Sequence, residues 1–178
     1  MNRRALLLDK AEELFSEHGF EGTSIRQLAK EANMNVAMIS YYFGSKEKLF
    51  EALVEERTSA IRDRLKDLNE QDENPVVRLE AMINLYVDRF ILQPRFHRML
   101  FHEVALNIRP ELQGSIADVL MRNVQELRRI IQDGIDAGVF NPVDVDLTIV
   151  SLVGTITQLV NASPEMHVRM LGLDRSEE

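Results

Sequence analysis

Apolar residues recur at three- and four-residue spacing along almost the whole chain, and no stretch keeps the strict alternation of a half-buried strand. That pattern predicts an all-α fold. A first stripe of Leu7, Ala11, Leu14, Phe15 and His18 marks an amphipathic helix, which Gly19 ends by supplying a left-handed residue. After a turn at Phe20, Glu21 and Gly22, either Thr23 or Ser24 caps a second helix whose inner face is Ile25, Leu28, Ala29 and Ala32; Ser24 and Gln27 stand at capping-box spacing. Asn33 or Asn35 breaks and restarts the chain. A short third helix covers about 35–42, and Gly44 with Ser45 ends it and starts a fourth over 45–68. The polar segment 69–74 closes on Asn74 and Pro75, an N-cap followed by proline at the first helical position. Further helices are predicted over 75–92, 94–107, 110–137 and 143–162, with breaks at Pro94, Pro110 and between Gly138 and Pro142.

Composition narrows the class. In 178 residues, 45% hydrophobic and 28% charged describe an ordinary soluble chain able to bury a core. The absence of cysteine excludes disulfides, thiolate catalysis and thiolate metal sites. Met1, Asn2, Arg3 and Arg4 run directly toward Asp9, Glu12 and Glu13 with no long apolar secretory core between them, so a cytoplasmic location is expected. The uncharged run 147–164 is interrupted by Thr148, Ser151, Thr155, Thr157, Gln158, Asn161 and Ser163, and reads as a buried helix rather than a membrane span. A net charge of −8 argues against indiscriminate coating of nucleic acid. Residues 1–50 hold seven basic and seven acidic side chains, so the other 128 carry the negative excess and any DNA contact is local to the N-terminal part.

Three short helices in about forty residues, the second and third joined by a tight polar turn, form the arrangement that lays a recognition helix in the major groove. With Ile39 as the inward reference at 100° per residue, Tyr42 and Phe43 fall inward, while Ala37 and Tyr41 face outward flanked by Met38 and Ser40. The chain reads Ala11-x-x-Leu14-Phe15-x-x-x-Gly19-Phe20-x-x-Thr23-Ser24, then Ile25-x-x-Leu28-Ala29-x-x-Ala32, then Tyr42-Phe43-x-Ser45-Lys46-x-x-Leu49. From Ala11 to Leu49 it resembles the DNA-binding domain of the TetR family of bacterial transcriptional regulators. The resemblance implies a homodimer with a helix-turn-helix domain over residues 1–48, a connector helix over 45–68, and an all-helical ligand-binding and dimerisation domain over 49–178. It implies a palindromic double-stranded DNA operator and a repressor released by a small-molecule effector.

Residue by residue, the resemblance implies that Thr23 and Ser24 offer hydroxyls and amides to phosphate, and that Arg26 reaches a base edge or the backbone. Asn35, Val36 and Ala37 occupy the recognition helix's opening turn against base edges, Ser40 lies on the same outward side, Tyr41 contacts phosphate and sugar, and Lys46 draws a phosphate to the start of the fourth helix. Ser40 and Met38 stand where many members carry tyrosine and threonine. Capping alone would equally account for Thr23, Ser24 and Asn35.

In the second half, Leu79, Met82, Ile83, Tyr86, Phe90, Phe96, Met99, Leu100 and Phe101 either enclose an apolar cavity or form core. The candidate ligand set is Tyr86, Phe90, Phe96 and Phe101, with Arg98 and His102 at four-residue spacing as either an anchor for an acidic group or a solvated pair. The expected effector is apolar or amphipathic. His97 and His102 are five apart and with Glu103 make a poor metal set, so neither metal nor cofactor is expected. The last two long helices carry more apolar residues than one face requires, and an intermolecular four-helix bundle, with Gly154 at the close approach, would cover the remainder. Two readings compete. An enzyme lacks support, since there is no glycine-rich phosphate loop and no His-x-x-x-His pair; the other is a helical regulator or adaptor controlled by a protein partner.

Overall fold

Short polar side chains fix where the helices begin. In the computed structural model, which describes residues 2–70, 74–106, 108–162 and 164–171, an oxygen of Asn2 accepts from the Arg4 N–H at 3.0 Å, Ser24 from Gln27 at 3.1 Å and Asn35 from Ala37 at 3.0 Å. Ser45 accepts from Lys48 at 3.1 Å, Asn74 from Val76 at 2.9 Å and Asp144 from Leu147 at 2.9 Å. Each satisfies a first-turn amide that the helix itself leaves unpaired. The helices of the described residues are α1 (Arg3–Gly22), α2 (Ile25–Glu31), α3 (Val36–Phe43), α4 (Lys46–Glu70), α5 (Pro75–Leu92), α6 (Pro94–Leu106), α7 (Pro110–Asp136), α8 (Val145–Asn161) and α9 (Pro164–Leu171).

Gly19 takes the expected left-handed conformation (φ 72°), yet one more helical turn follows to Gly22 before the chain leaves α1. Asn33 provides the positive φ of the α2–α3 turn, and Asn35 the cap. The sequence pattern gives no sign of α9, whose eight residues are too few to register beside the long apolar run of α8.

Two apolar clusters form the interior. One unites α1, α2 and α3 with Leu49, Phe50, Leu53 and Val54 of α4, and extends to Phe96, Met99 and Leu100 of α6 and Leu112, Ile116 and Val119 of α7. The other joins Ile61 and Leu65 of α4 to Met82, Tyr86 and Phe90 of α5, Leu127, Ile130 and Ile131 of α7 and Ile149 of α8. The N-terminal head therefore completes its core with residues beyond 48, and α4 and α7 run through both clusters. Polar links hold these elements in register: Arg57 of α4 bonds Asp9 and Glu12 of α1, both at 2.6 Å, and the buried Arg78 of α5 meets Asp133 of α7 at 3.0 Å. Glu55 of α4 joins Arg62 to Arg122 of α7.

Behind α7 the loop turns back so that Phe140 lies on Gly134, where a Cβ would stand 2.2 Å from the ring. Gly134→Ala is expected to lower stability by about 1–3 kcal/mol in urea unfolding. Gly114→Ala, on the same helix with nothing within 4 Å, should be neutral or gain the helix propensity of alanine, up to about 1 kcal/mol.

Candidate nucleic-acid interface and apolar cavity

Helix α3 has one fully buried residue, Ile39, in the same apolar cluster as Leu28 and Ala29 of α2 and Ala32 at its C-cap, with Tyr42 and Phe43 packed against that cluster. Its opposite side is open. Ser24 and Arg26 of the α2 start and Asn35, Val36, Ala37 and Ser40 of α3 are all exposed, and Tyr41 is 81% exposed. Asn35 accepts a hydrogen bond through its carbonyl oxygen, which leaves its amide NH2 as an outward donor. Ser24 accepts from Gln27 and keeps its hydroxyl proton. Among the described residues Arg26 and Lys30 of α2 form no ion pair, whereas Lys10 and Lys48 are bonded to Glu13 and Glu51. Tyr42 is half-buried against the head core. The outward surface is thus small side chains, amide and hydroxyl donors, one exposed phenol and two unpaired cations, the mixture that can approach a groove closely and bond to phosphates and base edges.

Two of the sequence-predicted contacts sit differently. Thr23 is completely buried: its hydroxyl donates to Leu14 O at 3.1 Å and Gly19 O at 2.9 Å, and its N–H bonds Phe20 O. Its expected phosphate contact is corrected to an internal fastening of the α1 end, because the carbonyls freed by the Gly19 break need donors. Lys46 sends its ammonium back across the same junction, donating to Phe20 O at 2.8 Å and Thr23 O at 3.0 Å. It also lies 4.3 Å from the Phe20 ring centroid. Two of its three donors are thereby engaged, and burial lowers its pKa against the opposing pull of Glu47 and Glu103.

Below the head, a cavity of about 200 Å³ opens among α4, α5, α6, α7 and α8. Tyr86, Phe90 and Phe101 line it as the sequence suggests. Phe96, Arg98 and His102 do not. Phe96 belongs to the head core, and Arg98 and His102 face a separate open depression beside Glu17 and His18. The reason is the helical rotation of α6, which directs His97 and Phe101 to the cavity and Phe96 and Met99 into the head core. The sequence reading missed His97, Thr58 and Asn123 as lining residues. His97 shares its face with Phe101 at four-residue spacing, a signal hidden when it is paired instead with His102.

His97 is buried, its ring stacked on Phe90 at 3.7 Å and edge-on to Phe96 at 5.1 Å. Burial first, and Arg89 second, hold its pKa down at about 4. Burial also pushes the Tyr86 phenol well above its ordinary value, opposed by a hydrogen bond with Asn123. Both groups are neutral at physiological pH.

The family described as bacterial regulatory proteins, tetR family, matches residues 7–53, and the tetracyclin repressor-like C-terminal domain matches residues 72–161. The chain is 52% identical over 50 residues to the probable HTH-type transcriptional regulator YttP of Bacillus subtilis, covering 28% of this chain and 24% of that protein. It is 31% identical over 143 residues to the HTH-type transcriptional repressor NicS of Pseudomonas putida, covering 75% of this chain and 64% of that protein. It thus spans less than two thirds of either relative's length. In fold it superposes on the transcriptional regulator FadR of Bacillus subtilis, solved in complex with stearoyl-CoA, with a TM-score of 0.79 at 20% identity over 97% of this chain and 90% of that one.

The neutral, buried His97 carries a pH signature. Its folded pKa of about 4 lies below the ordinary 6.5, so the stability gained by keeping the ring neutral is whole above pH 6.5 and is lost as the pH falls toward 4. The expected loss is on the order of 3 kcal/mol across that window. Urea unfolding at several pH values should show a flatter acid limb in His97→Leu than in the parent; identical limbs would remove His97 as the cause.

Proposed function

The chain belongs to the TetR family of bacterial regulatory proteins, and on that premise we propose that it is a sequence-specific DNA-binding transcriptional repressor released by a small apolar or amphipathic effector. The observation that carries the proposal is the conjunction of an exposed α3 face with an apolar cavity lined in part by α6. Arg26, Asn35, Val36, Ala37 and Ser40 meet base edges or the adjoining backbone; Ser24 and Tyr41 bond phosphate and sugar; Lys46 gives its remaining donor to a phosphate beside the start of α4. Residues 1–48 serve as the reading head and 49–178 as the ligand-binding and dimerisation part. The role is regulatory rather than catalytic, and its place is the cytoplasm, where the operator is. Among the described residues no helix is long and apolar enough to cross a membrane.

Effector control follows from the two faces of α6. A molecule that prefers a displaced α6 draws Phe96 and Met99 with it, and so reorients the head. Differential affinity of this kind supports a change in operator affinity of about 5–150-fold.

A homodimer is supported by α8. Leu147 is 64% and Val150 67% exposed, on an uncharged stripe continued by Ser151, Gly154 and Thr155. The Ser151 and Thr155 hydroxyls donate to the carbonyls of Leu147 and Ser151 at 2.8 and 2.7 Å, so neither adds an unmet polar group to the stripe. A Cβ at Gly154 would meet nothing within 4 Å in the single chain. The long apolar side chains of α7, by contrast, are largely covered within the chain. The partner's α8 is the proposed cover, setting two heads about 34–36 Å apart on a palindromic operator. Light scattering should give twice the chain mass at micromolar concentration, and Gly154→Leu should reduce both the dimer fraction and operator binding. A monomer that still binds a palindrome tightly would overturn this arrangement.

Binding to operator fragments selected from the source genome tests the reading directly. Arg26→Ala is expected to cost about 1–3 kcal/mol on the selected site and to relax preference at one symmetric pair of positions. Lys46→Ala should weaken operator and unrelated DNA alike and flatten the salt dependence by about one charge per head, with an added loss of stability from the carbonyls it leaves unpaired. Unchanged binding in both folded variants would refute the proposed interface.

A further inference from the structure

Resting on the cavity's proposed role, we infer that His97 selects the effector: the cavity takes a compact, neutral, largely apolar molecule bearing one hydroxyl, and that hydroxyl pairs with His97 Nε2.

The polar inventory of the cavity leads there. Four lining residues carry polar side chains, Thr58, Tyr86, His97 and Asn123. Thr58 donates its hydroxyl to Val54 O at 2.8 Å. Asn123 donates to Thr58 O at 3.3 Å, accepts from Arg62 at 3.5 Å and interacts with the Tyr86 phenol. His97 is different. Its residue is 4% exposed, and among the described lining residues its Nε2 is the one buried side-chain nitrogen or oxygen without a hydrogen-bond partner. Stacking on Phe90 and the edge contact with Phe96 hold the ring, and Nε2 itself is sealed, so a ligand hydroxyl reaches it as α6 shifts, in keeping with an effector that prefers a displaced α6. An unmet buried polar atom is costly, and a ligand group that meets it gains that cost back as affinity.

Charge and size narrow the class. No Asp, Glu, Lys or Arg is among the lining residues, so a carboxylate or ammonium there would be desolvated with no charged side chain in direct contact. Neutral imidazole presents Nε2 as either a donor or an acceptor, and a hydroxyl answers both forms. An apolar cavity of about 150 Å³ accommodates benzene. The volume here, about 200 Å³, suits a single ring with a short substituent rather than a long acyl chain.

The test uses the full chain at pH 7 with three probes of one shape: 4-propylphenol, propylbenzene and 4-propylbenzoate, titrated calorimetrically. The phenol is expected to bind about tenfold tighter than propylbenzene, and the benzoate at least about tenfold weaker than the phenol. In His97→Leu the phenol's advantage should vanish while propylbenzene binding stays within about twofold of the parent. In parent protein labelled with 15N-histidine, the His97 Nε2 resonance should move with the phenol and stay with propylbenzene, a readout that needs no variant to fold. Equal affinity for phenol and propylbenzene in the parent, a phenol advantage that survives in His97→Leu, or a motionless Nε2 resonance would each overturn the selection by His97 while leaving a cavity ligand in place. If none of the probes binds, the small-molecule reading falls with it.

Discussion

Phe20 has two cations over its ring, and the placement of the head on the body depends on that cluster. The Lys46 ammonium lies 4.3 Å and the Arg109 guanidinium 4.4 Å from its ring centroid, while Phe15 and Phe50 close on the ring at 5.4 and 5.5 Å. Each cation–π contact contributes about 0.5–2 kcal/mol, more as water is excluded. The cations do more than touch the ring. Lys46 ties the end of α1 to the start of α4, and Arg109, at the entry to α7, pairs with both Glu21 of α1 and Glu103 of α6. Four helices therefore meet at one aromatic residue. Glu103 is buried, and its pKa is raised by desolvation against the pull of His102 and Lys46, so its charge depends on the cations staying close.

A junction of this kind links a small displacement to a rigid-body response. Helix α6 contributes Glu103 to the junction, Phe96 to the head core and His97 to the cavity. Movement of α6 against α7 would thus act on the Phe20 cluster and on the head's apolar core together, and packed interiors switch between arrangements rather than deform smoothly. Helix α4, clamped to α1 by Arg57 and to α7 by Glu55 and Asn123, transmits that change along its length.

What could be read from the sequence was local. Helix starts were legible because each cap bonds an amide two or three residues away, and Gly19, Asn33 and Gly44 reveal left-handed positions by residue type alone. The outward face of α3 followed from periodicity and one anchor, Ile39. The failures involve partners distant in sequence. Thr23 is withdrawn from the surface by the Leu14 carbonyl, nine residues earlier, and Lys46 is bonded to carbonyls 26 and 23 residues earlier. On α6 the pattern shows two apolar faces without showing which neighbour each meets. Phe96 and His97 are adjacent in sequence and about 100° apart around the helix, so aromatic content alone does not separate the head core from the cavity.

The charge distribution takes on a sharper meaning in three dimensions. A chain of net charge −8 approaches a polyanion against its own field, so attraction must come from cations that are free and near the reading face. In the body, Arg62, Arg78, Arg109, Arg122 and Arg128 are each paired with a carboxylate, and in the head Arg4, Lys10 and Lys48 are paired too. Arg26 and Lys30 of α2 have no such partner among the described residues. Arg26 and Lys30 therefore keep their positive charge uncompensated beside α3, while the net negative charge of the chain opposes indiscriminate approach to the duplex. Weak non-specific attraction follows, because few counterions are released. Under the proposed function, occupancy of a site would then rest on the fit of Arg26, Asn35, Ala37 and Ser40 to base edges and on two heads binding together, a balance that favours discrimination over raw affinity.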